Sequence, residues 1–153
     1  MPFYQRKSPR LANFDYRSTH YYFITLCTHN RSCIFGKLPQ MNKLAGIVHE
    51  NIEILGKLRE GVKVDKYVIM PNHVHMIIAL EDANISISYL IALLKTSITK
   101  QIRRAYPSMQ VWQRSFHDHI IRNEEDYQRI WSYIDTNPIR WELDCFYVDN
   151  RAD

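Results

Sequence analysis

Between Val62 and Leu80 the chain carries two β-rich runs, Val62–Met70 and His73–Leu80, parted only by Pro71-Asn72. Proline and asparagine form tight turns, and so short a gap folds the second run back on the first as an antiparallel pair. Alternate residues of a strand point to one face, so His73 and His75 stand together on the hairpin. Any fold for this chain has to accommodate a hairpin that presents two imidazoles side by side.

The remaining elements are legible around it. The run from His20 to Thr28, rich in aromatic and β-branched residues, reads as a first strand. Asn42 can cap a helix whose Leu44, Ile47, Val48, Leu55 and Leu58 recur near helical spacing, with Gly61 as its stop. Asn84 or Ser86 can open a second helix running to about Ala105, with Leu90, Leu93, Leu94, Ile98 and Ile102 as its buried stripe. Phe116–Arg122 predicts a short strand, and Asn123 with Asp126 three residues on predicts the cap of a last helix that Pro138 ends. The order β-α-β-β-α-β-α is that of an α+β, ferredoxin-like split β-α-β sandwich with one additional C-terminal helix.

With 153 residues and 46% hydrophobic content, one domain with one core is expected over 1–153, and residues 1–18 form a basic arm carrying Arg6, Lys7 and Arg10. No apolar run approaches the ~20 residues of a membrane-spanning helix. The first ten residues lack the apolar block of a secretory signal. Cys27, Cys33 and Cys145 are odd in number and without metal-finger spacing, which predicts a reducing cytoplasm. A formal charge of +4 and a pI of about 9.0 suit a polyanionic partner without requiring one.

Imidazole is the commonest protein ligand for a transition metal. An arbitrary His-x-His can equally be a polar pair on the outer face of a sheet. Here the pair interrupts apolar runs, Tyr67–Met70 and Met76–Leu80, so its polar atoms need partners. The last helix offers a further ligand, Asn137, with Tyr133 four residues earlier on the same side. At 100° per residue the stripe of that helix runs through Tyr127, Ile130, Trp131 and Ile134, and Tyr133 lies roughly 110° from its centre, so Tyr133 flanks the core. Tyr127, the competing nucleophile, lies on the stripe with Trp131 four residues on, and reads as packing.

Pro71-Asn72-His73-Val74-His75 followed by Tyr133-Ile134-Asp135-Thr136-Asn137-Pro138 resembles the paired signature of the single-tyrosine HUH transposases, specifically the REP-associated, IS200-like branch. The similarity extends to Arg10-Leu11, Asp15-Tyr16, Tyr22-Phe23, Thr25, Cys27-Thr28, Arg31 and Phe35-Gly36, and to Val111–Arg114 and His119–Arg122. The tail after Trp141 adds nothing to it. Met76 and Tyr21 depart from it, since many relatives carry glycine at those places.

The resemblance implies that His73, His75 and Asn137 hold a divalent ion, Mg2+ or Mn2+, which orients a scissile phosphate. It implies that Tyr133 attacks single-stranded, hairpin-containing DNA to leave a 5′-phosphotyrosine and a free 3′-hydroxyl, as in DNA transposition. His119 is a candidate proton acceptor, against the alternative of a strand histidine satisfied by a backbone carbonyl. Lys100, Arg103 and Arg104, with Arg6, Lys7 and Arg10, are candidate DNA contacts, while Lys95 reads as solvated and Trp112 as core. The family admits both single chains and homodimers that exchange the tyrosine helix, and implies a cytoplasmic, nucleoid-associated protein without a membrane partner. Two rival readings stand beside it. A metal-dependent phosphodiesterase would lack the covalent step, and a non-catalytic single-strand binder would need no metal pair.

Overall fold

The apolar alternation of the hairpin is doubled, because both of its faces are covered. The computed structural model describes residues 19–81 and 84–149. Strands β1 (His20–Cys27), β4 (Val62–Met70), β5 (His73–Leu80) and β6 (His117–Ile121) form one antiparallel sheet in the order β4-β5-β1-β6. Every residue of β5 is buried, which explains its almost continuous apolar run. Val74, Met76, Ile78 and Leu80 enter the larger core with α1 (Lys43–Leu55) and α2 (Ile87–Ile102). Ile77 and Ala79 meet Tyr127, Ile130, Trp131 and Ile134 of α3 (Glu124–Thr136) on the other face. The ferredoxin-like order expected from the sequence, with its extra helix, is therefore the observed one.

Strand β4 changes faces at an irregularity between Val64 and Lys66. Beyond it Lys66 and Val68 turn toward α3, while Tyr67 and Ile69 pack in the larger core, as a bulge permits.

Several boundaries differ from expectation. Helix α1 stops at Leu55 with Gly56 as its cap, so Leu58 is 57% exposed; Gly61, at φ 85°, instead turns the chain into β4. In α2 the stripe uses Ile91, and Leu93, about 100° round the helix from Leu94, is 38% exposed. That helix begins after Ser86 and ends at Ile102, short of Ala105. A small hairpin of β2 (Gly36–Lys37) and β3 (Gln40–Met41) was not expected from the sequence, since strands of two residues carry no periodicity. Among the described residues no helix is long and apolar enough to cross a membrane.

Candidate active site

The hairpin register puts Thr25 of β1 directly opposite His75 and Cys27 opposite His73. Thr25 Oγ1 lies 2.8 Å from His75 Nδ1. His73 Nδ1 lies 2.8 Å from Asn72 Oδ1. Asn72 Nδ2 donates to the carbonyls of Arg31 (3.1 Å) and Phe146 (2.7 Å), which identifies its other terminal atom as the acceptor oxygen. His73 Nδ1 therefore carries the proton, and Nε2 presents a bare lone pair. That Nε2 is buried without a hydrogen-bond partner.

Helix α3 brings two further groups to the same place. Asn123 caps its start by accepting from the Asp126 N–H at 2.8 Å, and Asn137 follows its last turn, before Pro138. Tyr133, one turn before Asn137, is 40% exposed, and its hydroxyl lies 3.5 Å from His75 Nε2. Asn137 is buried; its Nδ2 donates to Asp144 Oδ2 at 2.7 Å, and its Oδ1 is buried without a partner. Tyr127, by contrast, is fully buried, edge-on to Tyr21 with its hydroxyl donating to Asp65.

The structure thus brings His73, His75, Tyr133 and Asn137 together, and adds Asp144. The Asp144 carboxylate lies 3.8 Å from His73 Nε2, and ligand atoms of His73, His75 and Asp144 lie within 4.8 Å of one another. Phe146 stacks at 4.7 Å on the His73 ring, and Trp141 lies 5.9 Å from it. The segment after Trp141, which adds nothing to the family resemblance, thus supplies a carboxylate and a ring to the histidine pair. Its signal was present in Trp141, Phe146 and Tyr147, aromatics too frequent for a solvated tail.

Two orphaned lone pairs, on His73 Nε2 and Asn137 Oδ1, converge with a carboxylate in a buried space, a mixed nitrogen and oxygen set that fits a divalent cation. Burial pushes His73 well below the usual imidazole range, with Asp144 only partly opposing. Burial and then the neighbouring His73 push His75 down to about 3. Both shifts favour the neutral imidazole, the form that a metal ligand needs. Burial, then Asp144 and Cys145, push the Tyr133 phenol up to about 12. Met76, which departs from the resemblance, turns into the larger core, away from the histidine face.

His119 is satisfied by a side chain, not by a backbone carbonyl: its Nε2 lies 2.6 Å from Asp126 Oδ2, and Arg129 pairs with the other oxygen of Asp126. Lys100, Arg103 and Arg104 line a cleft of about 870 Å3 with Lys95, Trp112 and Arg114. Lys95 is not merely solvated, since its Nζ donates to the Gln113 carbonyl at 2.7 Å and ties α2 to the following loop. Trp112 packs against Phe35 with ring centroids 5.6 Å apart. Arg6, Lys7 and Arg10 lie outside the described residues.

The family described as "Transposase IS200 like" matches residues 16–137, a span that takes in the two histidines, Tyr133 and Asn137. The chain belongs to this family. Asp144 and Phe146 fall beyond the span that the IS200-like family matches. An uncharacterised protein of Haemophilus influenzae is 34% identical, over 95% of this chain and 95% of its own length. The REP-associated tyrosine transposase of Escherichia coli is 31% identical over 57% of this chain, a match that spans 56% of that relative. The solved structure of a REP-associated tyrosine transposase bound to a REP hairpin shares the fold, with a TM-score of 0.60 at 24% identity over 79% of this chain and 67% of that one.

Proposed function

We propose that this IS200-like transposase cuts and rejoins single-stranded, hairpin-bearing DNA, with Tyr133 as its nucleophile and a divalent ion, Mg2+ or Mn2+, at the histidine pair. The carrying observation is the Tyr133 hydroxyl 3.5 Å from Nε2 of an imidazole whose buried neighbour has its lone pair oriented by Asn72. An ion held by His73, His75 and the Asp144 and Asn137 oxygens would polarise and orient the scissile phosphate.

The rest of the chemistry belongs to the chain. A bond forms between the Tyr133 oxygen and phosphorus, and the bond from phosphorus to the 3′-oxygen breaks. The phenolic proton passes to solvent or a base, the departing oxygen takes up a proton, and a 5′-phosphotyrosine remains. Its reversal by another 3′-hydroxyl rejoins strands without an external energy source. Burial beside Asp144 keeps the phenol protonated, so positive charge near Asp144 is what the site requires for attack.

The cleft bearing Lys95, Lys100, Arg103, Arg104 and Arg114 would hold the hairpin backbone, with Arg6, Lys7 and Arg10 as further contacts. It borders the loop that meets the end of β1, where Gln113 N–H donates to the Cys27 carbonyl. A stem in the cleft would thus lie at the end of the sheet that carries His73. This reading suits a cytoplasmic, nucleoid-associated protein.

The test incubates the protein and its Tyr133→Phe form with labelled single-stranded DNA containing hairpins from beside its own gene, with manganese or with chelator. A metal-dependent, denaturation-resistant DNA adduct in the parent and none in the variant is expected. Metal-dependent cutting by both, with no adduct, would overturn the covalent step in favour of a simple phosphodiesterase.

A further inference from the structure

A cavity of about 440 Å3 opens beside Tyr133, bounded by β1, β6, α3 and the segment around Phe146. That volume lies within the ~300–1,000 Å3 of pockets that enclose small organic groups. Its walls are aromatic. Phe23 lies 5.2 Å from the His75 ring and edge-on to Tyr133 at 6.1 Å, and Phe146 lies 6.0 Å from His75.

The polar groups gather on another side. His119 and Arg129 line the same cavity, and Asp126 holds them both. Asp126 is itself anchored by the helix cap through Asn123. The Arg129 and His119 side chains nevertheless remain 69% and 51% exposed, available to a ligand at the cavity mouth. The cavity thus sets the rings of Phe23, Tyr133 and Phe146, the last of which also meets His73 at 4.7 Å and Arg31 at 5.5 Å, beside an exposed guanidinium held by Asp126.

Flat faces with polar groups at one edge are how proteins hold unpaired bases. A phosphate alone would have no use for Phe23 and Phe146, and an aliphatic ligand none for Arg129. The cavity adjoins the tyrosine hydroxyl, so the base it can reach is one next to the bond that is cut. Guanidinium donors match the O6 and N7 acceptors of guanine better than the mixed edge of adenine.

We propose that this cavity takes the unpaired nucleobase adjoining the scissile phosphate and selects guanine, with Phe23 and Phe146 as stacking surfaces and Arg129 reading the base edge. His119 acts through Asp126 as a positioning residue for Arg129. The assignment rests on Tyr133 being the nucleophile, but a binding measurement tests it independently of the covalent step.

The experiment uses the full chain carrying Tyr133→Phe, and a hairpin with an unpaired oligothymidine tail on either side in which one guanine is moved through every position. Binding is read by fluorescence anisotropy. One position is expected to favour guanine over adenine or cytosine by about fivefold or more. Adding Arg129→Gln, at an exposed site, should equalise the bases there while leaving thermal melting unchanged. A 2-aminopurine at that position should be quenched, and less so with Phe146→Leu. Affinity indifferent to the position of guanine, or a preference that survives Arg129→Gln, would overturn the assignment. An adduct absent from the Tyr133 parent together with an intact, Arg129-dependent guanine preference would instead count against the nucleophile alone.

Discussion

Asn72 commits both of its N–H donors to backbone carbonyls, so its oxygen faces His73 and fixes which ring nitrogen is bare. Groups that orient a metal ligand in this way typically govern affinity by about 10–100-fold. Asn72→Ala is therefore expected to weaken manganese binding by about that factor in calorimetric titration, although the residue touches no ion. A second consequence concerns pH. Both imidazoles titrate lower in the folded chain than the ~6.5 of a free histidine, so below that value the unfolded chain binds more protons. Stability is present above pH ~6.5 and is lost as the pH falls toward the folded values. In chelator the melting temperature should drop between about pH 7 and pH 5. A His73→Gln, His75→Gln double variant should show a shallower drop over the same window.

Helix α3 carries Tyr133, the proposed nucleophile, and its ends and its face are fixed by different kinds of information. Asn123, Asp126 and Pro138 mark its limits locally, and Glu124, Glu125 and Asp126 in the first turn oppose the positive end of its dipole. Its seating on the sheet depends on a clamp that no local pattern announces. Lys66 Nζ meets Asp135 Oδ1 at 2.6 Å and lies 3.9 Å above the Trp131 ring. Asp135 Oδ2 is buried without a hydrogen bond, so losing the lysine strands a carboxylate already short of partners. Breaking a buried pair costs about 3–5 kcal/mol; with Lys66 and Asp135 partly exposed, about 2–3 kcal/mol is expected for Lys66→Ala in urea unfolding. Asp135→Ala should cost less, since the lysine keeps its aromatic contact.

Across the whole molecule, the cleft on α2 should reveal itself in salt dependence. Replacing Lys100 and Arg104 by glutamine is expected to flatten the slope of log binding constant against log salt by about 0.7–0.9 for each phosphate no longer neutralised, measured with a hairpin oligonucleotide. The element order was legible from periodicity and turn residues, and the pairing of His73 with His75 from strand alternation, while their grouping with Tyr133 and Asn137 as one site was what the family resemblance implied. Asp144 and Phe146 were not legible, because their segment folds back onto the histidines across some seventy positions, as between Asn72 and Phe146. The Asp126 hold on His119 and Arg129 was missed for a related reason: the acid reads first as a cap residue. In β5 the residues alternate between the two layers, so chemistry and packing share a single parity. A one-residue deletion between Met70 and His73 would send the imidazoles into the larger core and Val74 into the reactive space, whereas substitutions at most neighbouring positions leave that parity intact. In a lineage of such chains, odd changes of length in this hairpin would be purged while the spelling around it drifts, and the inherited quantity is the count between turn and histidine.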